Sequence, residues 1–237
     1  MSGKHCSIGI AVLVLSFSIS YAMAAANPLA IKTQFFYETD NKEVTALNND
    51  SVLRSGQHVG VAFRPQEDCY IYIFWVDSAG KMGVLFPNPN LTEGSAQTQA
   101  GKTYWLPRKD GERWYVLDDN PGTETIYFVV SRNRSPELEG LNATAMNPPS
   151  SSASRGAQST GAGPQSQTEQ PPSSMGPEAA QKVQQKLGLM GFAEYSIPKG
   201  AEKASFQNKE DMFKSIESHI KVSGAEAVFK IVFRHDQ

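Results

Sequence analysis

Cys69 and three histidines are the residues of this sequence that could carry out nucleophilic chemistry. An imidazole beside a cysteine can take up the thiol proton and leave a thiolate, so Cys69 with His58, His219 or His235 could form a Cys-dependent hydrolase. No cysteine-peptidase signature surrounds Cys69, and its position at the start of an apolar run favours a buried, unreactive thiol. We therefore expect no catalytic residue, and the hydrolase is the less favoured alternative.

The same histidines are the side chains that could ligate a metal. None of them lies at the i, i+4 or similarly tight spacing that zinc sites commonly use. We expect no metal and no cofactor, and we expect the histidines to lie at the surface.

Tyr104, Trp105, Trp114 and Tyr115 form an aromatic group on two neighbouring predicted strands. Alternation along each strand would place one Tyr or Trp on each face. Outward-facing aromatic rings could stack on sugars, including those of peptidoglycan, which makes glycan binding an alternative function. We favour a different interpretation, in which the inward rings form the core and the outward rings cover a turn or a helix.

Two turn-rich segments could form a recognition surface, because loops on a rigid β scaffold often bind partners. They are residues 87–92 and the corner at Pro121-Gly122. Pro, Asn and Gly also suit simple chain reversals, and the sequence leaves both interpretations open. The candidate recognition residues are Asn88, Asn90, Tyr104, Trp105 and Trp114.

Short β-strands must position these residues. Residues 58–64 alternate between apolar and other side chains, which is typical of a half-buried strand, whereas residues 70–76 are apolar on both faces, as in a central covered strand. Turns rich in Gly, Asp and Pro separate the segments. The predicted strands are 58–64, 70–76, 81–86, 102–106, 114–117 and 123–131.

The pattern changes after a segment at 147–176 that is rich in Ser, Pro, Gly and Gln and has no aromatic residue, Val, Ile or Leu. Such a composition predicts a disordered linker. Two helices are predicted beyond it, one over residues 177–187 and one over residues 209–220 with Asn208 as N-cap. Residues 227–234 alternate as a strand that has no hairpin partner nearby.

That last strand needs a sheet, since a lone amphipathic strand is unstable. We therefore predict one β-rich domain over residues 30–146 and 177–237. Its last strand, about 225–234, would complete the upstream sheet, and the linker would lie between the penultimate and last strands. A separate C-terminal domain of about 60 residues is the alternative. The expected fold class is mainly β, an antiparallel β-sandwich, immunoglobulin-like or similar, with one or two peripheral helices and a long disordered insertion.

The first 24 residues resemble an export signal. Lys4 precedes an apolar run, and Ala22-Met23-Ala24 fits a signal-peptidase site. Cleavage would leave 213 residues with 21 basic and 24 acidic side chains, without the basic clusters that nucleic-acid or membrane binding requires. We expect a periplasmic or secreted protein with no membrane span after cleavage and no nucleic-acid partner.

Several short motifs, in a fixed order, carry a resemblance. They are Tyr70-x-Tyr72, Gly80, Leu85-Phe86-Pro87-Asn88-Pro89, Gly101 before Tyr104-x-Leu106-Pro107, and Pro121-Gly122-Thr123-Glu124. Residues 51–132 clearly, and residues 209–233 more loosely, are similar to a bacterial family of domains of unknown function. That family is found attached to caspase-like peptidases, to serine/threonine kinases and to envelope proteins. The resemblance implies an accessory β-rich domain without assigned activity or catalytic residues.

These observations together favour a non-enzymatic, exported accessory domain of the bacterial cell envelope. We expect it to be a stand-alone secreted version that binds an envelope protein through its loops or a sheet edge. Binding of peptidoglycan or another glycan through outward aromatic residues is the alternative.

Overall fold

The structure is a computed structural model, and it describes residues 28–89, 94–108, 114–146 and 175–237. The predicted signal peptide, Asn90 and most of the predicted linker lie outside the described residues. The strands are β1 Leu29–Glu38, β2 Val44–Ala46, β3 Val52–Arg54, β4 His58–Pro65, β5 Cys69–Val76, β6 Met82–Phe86, β7 Gln97–Thr98, β8 Tyr104–Leu106, β9 Tyr115–Val116, β10 Gly122–Ser131, β11 Glu194–Ser196, β12 Ser205–Phe206, β13 His219–Val222 and β14 Glu226–Asp236. The helices are α1 Pro136–Met146, α2 Pro177–Leu187 and α3 Lys209–Ser215.

Two sheets form the sandwich. In the first sheet, β1 pairs with β4 on one side and with β13 and β2 on the other, while β4 also pairs with β8 and β9, β13 with β11, and β2 with β12. The second sheet has the order β3-β14-β10-β5-β6, with β7 beside β5. All pairings are antiparallel except that of β14 with β3, which is parallel, so the second sheet is mixed.

Alternating side chains of the strands fill three apolar layers. On β5, Ile71, Ile73 and Trp75 face the core between the sheets, while Tyr72 and Phe74 face the opposite side, where α1 and α2 cover the second sheet. On the outer face of the first sheet, α3 packs over a third cluster. This burial on both faces explains why β5 reads as a continuous apolar run, and it confirms the prediction of a central covered strand.

The mainly β fold class is confirmed, and so are the strands predicted over residues 58–131, with small differences at their ends. The helix predicted at 177–187 coincides with α2. The last predicted strand is β14, which lies between β10 and β3. Three more strands, β11, β12 and β13, lie between α2 and β14, so the segment after residue 176 contributes more than the one expected strand.

The prediction of a helix over residues 209–220 was wrong in its second half. Asn208 caps α3 as expected, by accepting bonds from the backbone N–H groups of Glu210 and Asp211, but the helix ends at Ser215. The backbone then becomes extended, because β13 supplies the partner that the open edge of β1 needs. Ile220, expected on the helical stripe, is instead buried in the core between the sheets.

Candidate functional site

Two of the predicted recognition residues are interior residues of the structure. Asn88 is 3% exposed and Tyr104 is 6% exposed, so neither offers a surface to a partner, contrary to expectation. The Tyr104 ring stacks on Phe63 at 4.9 Å, inside the core between the sheets. Asn90 lies outside the described residues.

Asn88 has a clear role within the fold. Its side-chain amide donates a hydrogen bond to the Val84 carbonyl at 2.9 Å, and the Asn142 amide of α1 donates one to the Pro87 carbonyl at 3.2 Å. These bonds satisfy backbone acceptors at the end of β6 that would otherwise be buried without partners. The start of the 87–92 loop is therefore an internal corner that seats α1 on the second sheet.

Trp105 and Trp114 face outward from the first sheet and are half-buried by α3. Phe36 lies at 5.7 Å from Trp114 and 6.3 Å from Trp105, and Phe213 of α3 lies at 5.5 Å from Trp105. The Lys209 ammonium sits over both indole rings, at 5.2 and 5.9 Å from their centroids. These contacts agree with the favoured interpretation, in which the outward rings pack against a helix. A sugar ring could stack on the indole rings only by displacing Lys209.

Cys69 lies at the start of β5, where the residue is 1% exposed, and its thiol contacts the Thr98 hydroxyl at 3.3 Å. Burial raises the pKa of this thiol to about 11, with smaller opposing and supporting effects from Thr98 and nearby charges. A protonated, buried thiol is a poor nucleophile at neutral pH. The structure thus gives no support to a Cys-dependent hydrolase.

The histidines that could have served Cys69 have other partners. His58 Nδ1 lies 2.8 Å from Glu38, and the His58 ring stacks on Trp114. His219 lies 3.8 Å from Glu217. His235 is fully buried, against the expectation that histidines lie at the surface.

His235 belongs to a buried polar chain that the sequence did not reveal. Its Nε2 lies 3.0 Å from the Ser55 hydroxyl and its Nδ1 lies 3.5 Å from Glu124 Oε1. The order Ser, His, Glu is that of an acyl-transfer triad. Glu124 also accepts a 2.6 Å bond from the Trp75 indole and a 3.1 Å bond from the Ser78 backbone N–H.

The backbone N–H groups of Ser55 and Gly56 are already bonded within the fold. The Ser55 N–H donates to the Asp236 carbonyl and the Gly56 N–H donates to the Leu117 carbonyl, so both are bound within the fold. An oxyanion hole requires such donors to point at the substrate. The chain from Ser55 to Glu124 links the end of β3 to β14 and β10.

An exposed apolar loop is the surface feature that stands out. Leu189 and Phe192, in the loop between α2 and β11, are 88% and 77% exposed, and among the described residues the other exposed large apolar side chain is Val52, at 55%. Exposed apolar groups concentrated in one place mark interaction sites more often than scattered single ones. We call residues 188–193 the apolar loop.

Hydrogen bonds fix the backbone of the apolar loop. The N–H groups of Gly188, Leu189 and Met190 donate to carbonyls at the end of α2. Val228 of β14 then donates to the Gly191 carbonyl at 2.8 Å, and the Ala193 N–H donates to the Val228 carbonyl at 2.9 Å. The two exposed side chains are thus held on an ordered backbone, which lowers the entropy lost when a partner binds.

A groove opens beside the apolar loop, between α1 and α2. Its volume is about 220 Å³, and its floor is formed by the buried Leu138 and Leu187. Half-buried Leu141 and Met190 form its walls. The rim carries Glu137 and Lys186, paired at 2.7 Å, and the exposed Glu226 of β14.

Neighbouring segments bind to the edge strand β6 and to the side of β14 that β3 covers over residues 234–236 alone. On β14 the backbone groups of Val228, Val232 and Arg234 bond to residues 191–193 and 49–51. On β6, Met82 exchanges two backbone bonds with Met175. A partner strand would have to displace these contacts, so the structure favours a loop over these sheet edges as a binding surface.

Two absences apply to the described residues alone. They contain no group of three or more His, Cys, Asp or Glu side chains arranged to hold a metal ion. None of the three helices listed above has the length and apolar character needed to cross a membrane.

The fold and this site define a β-sandwich with flanking helices and an ordered, exposed apolar loop. Residues 52–134, from β3 to the turn before α1, match the model of a family described as Domain of unknown function (DUF4384). This match supports the predicted resemblance to a family of domains of unknown function, while the attachments to peptidases, kinases and envelope proteins stay a prediction. No curated protein and no solved structure matches the chain. The apolar loop lies outside the matched residues.

Sequence reasoning missed Leu189 and Phe192. The run Leu187-Gly188-Leu189-Met190-Gly191-Phe192 was available as a signal, because three large apolar residues follow the predicted stop of a helix at Gly188 without the period of a helix or a strand. The pattern alone does not distinguish an apolar loop that folds inward from one that stays exposed.

Proposed function

We propose that this protein is a non-enzymatic accessory domain of the bacterial cell envelope, exported to the periplasm or beyond, which binds an envelope protein through the apolar loop. The observation that carries the proposal is the exposure of Leu189 and Phe192 on a hydrogen-bonded backbone. Export is supported by the signal-like pattern of residues 1–24, and the accessory role by the match to a family without assigned activity.

Energetics support a loop anchored by these two side chains. Burying a Leu or Phe side chain contributes roughly 1.5–3 kcal/mol, and large apolar anchors dominate the affinity of most interfaces. The same side chains contribute little to the fold of the free protein, since they remain in water. Their apolar surface is therefore available for burial against a partner.

Photo-crosslinking in the exporting cell tests the proposal. A photoreactive amino acid replaces Phe192 in one variant and Val52, which is 55% exposed on β3, in a control variant. We expect one dominant protein adduct from position 192 and none from position 52. In a second pair of proteins the photoreactive group is at position 141 beside the groove. The protein that also carries Leu189→Ala/Phe192→Ala should give at least about tenfold less adduct than the one with both side chains intact, as expected when two anchors are lost.

Other outcomes would contradict the proposal. Equal adducts from positions 192 and 52 would mean nonspecific contact, and no adduct from position 192 would remove the apolar loop from the function. Retention of the wild type on insoluble peptidoglycan, abolished by Trp114→Ala, would replace the proposal with glycan binding.

A further inference from the structure

The groove beside the apolar loop carries information about the partner. The apolar part of its lining consists of Leu and Met side chains, among them Leu138, Leu141, Leu187 and Met190, and none of the lining residues is aromatic. Its volume of about 220 Å³ is below the roughly 300–1,000 Å³ of sites that enclose a small molecule or cofactor. A single large side chain from a protein partner suits this space better than a free ligand does.

The charged side chains at the rim of the groove differ in whether they are already paired within the protein. Glu137 and Lys186 neutralise each other at 2.7 Å. Glu226 is exposed at the start of β14 and has no ion-pair partner among the described residues. The rim therefore presents one uncompensated negative charge next to the aliphatic walls.

We propose that the partner presents a large aliphatic side chain next to a Lys or Arg, so that the aliphatic group enters the groove and the basic group pairs with Glu226. This inference rests on the proposed function, because it names the chemistry of the segment that the apolar loop helps to bind. A basic group fits the rim by charge complementarity, which governs specificity and association rate. An acidic residue at the same place would face Glu226 and be rejected.

Two synthetic peptides serve as probes. Both have the same length and the same leucines at helical spacing, and they differ in carrying Lys or Glu at every polar position. The methyl signals of Leu and Met residues are followed by NMR while each peptide is added to the full-length protein. We expect the Lys peptide to shift the signals of Leu141 and Met190, and to bind at least about tenfold more tightly than the Glu peptide.

Charge-changing variants separate local pairing from general attraction. Glu226→Lys should weaken binding of the Lys peptide about tenfold and strengthen binding of the Glu peptide. Asp119→Lys changes the net charge of the protein equally, but it lies at the opposite end of β10 from the groove. We expect it to leave both affinities within about twofold of the wild type.

The inference fails if the two peptides bind equally, if neither shifts the groove signals, or if Asp119→Lys acts as strongly as Glu226→Lys. Its failure is distinguishable from that of the proposed function. Crosslinking at position 192 that survives Glu226→Lys unchanged would overturn the charge pairing alone. If position 192 gives no crosslink when Glu226 is intact, the proposed function is overturned, whatever the result of the peptide titrations.

Discussion

Glu124 is a carboxylate that the fold buries, with 2% of its surface exposed. Burial penalises the charged form and raises its pKa, while hydrogen bonds from Trp75, Ser78 and His235 act in the opposite direction. The raised pKa shows that desolvation outweighs these bonds. The Glu of the Pro121-Gly122-Thr123-Glu124 motif is therefore a structural residue that connects β10 to the turn after β5 and to β14.

A pH dependence of stability follows from this residue. Because the folded-state pKa of Glu124 is above its unfolded value, the folded state binds the proton more tightly, and the free energy of unfolding rises as pH falls through the raised pKa. Urea unfolding of the wild type and of Glu124→Gln, which cannot take up this proton, should be compared between pH 8 and pH 5. We expect the wild type to gain stability relative to the variant as pH falls. A constant or opposite difference would contradict a raised pKa.

At the scale of elements, Gly122 decides how closely β10 approaches the turn after β5. Its φ is +154°, and a Cβ added there would lie 2.7 Å from the Ser78 Cβ. Gly122→Ala should lower the free energy of unfolding by about 1–3 kcal/mol through strain and overpacking.

Gly140 provides the matched control for this substitution. It lies exposed in the middle of α1, where an added Cβ meets nothing within 4 Å. Gly140→Ala should raise the free energy of unfolding by about 0.5–1 kcal/mol, because Ala is the better helix former. Urea denaturation measures both variants, and a neutral Gly122→Ala would show that the turn can shift at little cost.

The sequence predicts correctly those helices and strands in which the spacing of apolar residues matches the buried face. The end of α3 is a case in which this spacing was misleading. The stripe of Met212, Phe213 and Ile216 is compatible with a helix through residue 220, and only the tertiary need of β1 for a partner makes the following residues extended. The central strand β1 was not predicted. Phe35 and Phe36 are buried in opposite layers, so the sequence at this point does not alternate between apolar and polar residues.

The same limit applies to the candidate site. Asn88 was predicted at the surface because it lies in a turn-rich segment, and Tyr104 because outward aromatic rings can stack on sugars, but their hydrogen bonds and ring contacts are internal. Exposure of Leu189 and Phe192 depends on the path of the chain between α2 and β11, where Val228 holds the loop at the edge of β14. No local sequence pattern encodes a contact between residues that are nearly 40 positions apart.

At the scale of the whole molecule, β14 unites parts of the chain that are distant in sequence. It pairs with β10 over residues 226–235 and with β3 over residues 234–236, and its apolar side chains fill two layers. Ala227, Val228, Ile231 and Phe233 are each at most 3% exposed. Removal of residues 225–237 would therefore leave apolar surface of both neighbouring strands in water.

This truncation should unfold the upstream strands as well. Each large apolar side chain that is lost removes roughly 1.5–3 kcal/mol, so the strand contributes an amount comparable with the whole stability of a domain, about 5–15 kcal/mol. We expect the chain ending at Gly224 to show neither cooperative urea unfolding nor dispersed amide signals, while removal of Gln237 alone leaves both unchanged. A truncated chain that still unfolds cooperatively would mean that β1 to β10 fold without β14. The C-terminal residues would then be an addition to an independent domain, and the apolar loop would belong to that addition.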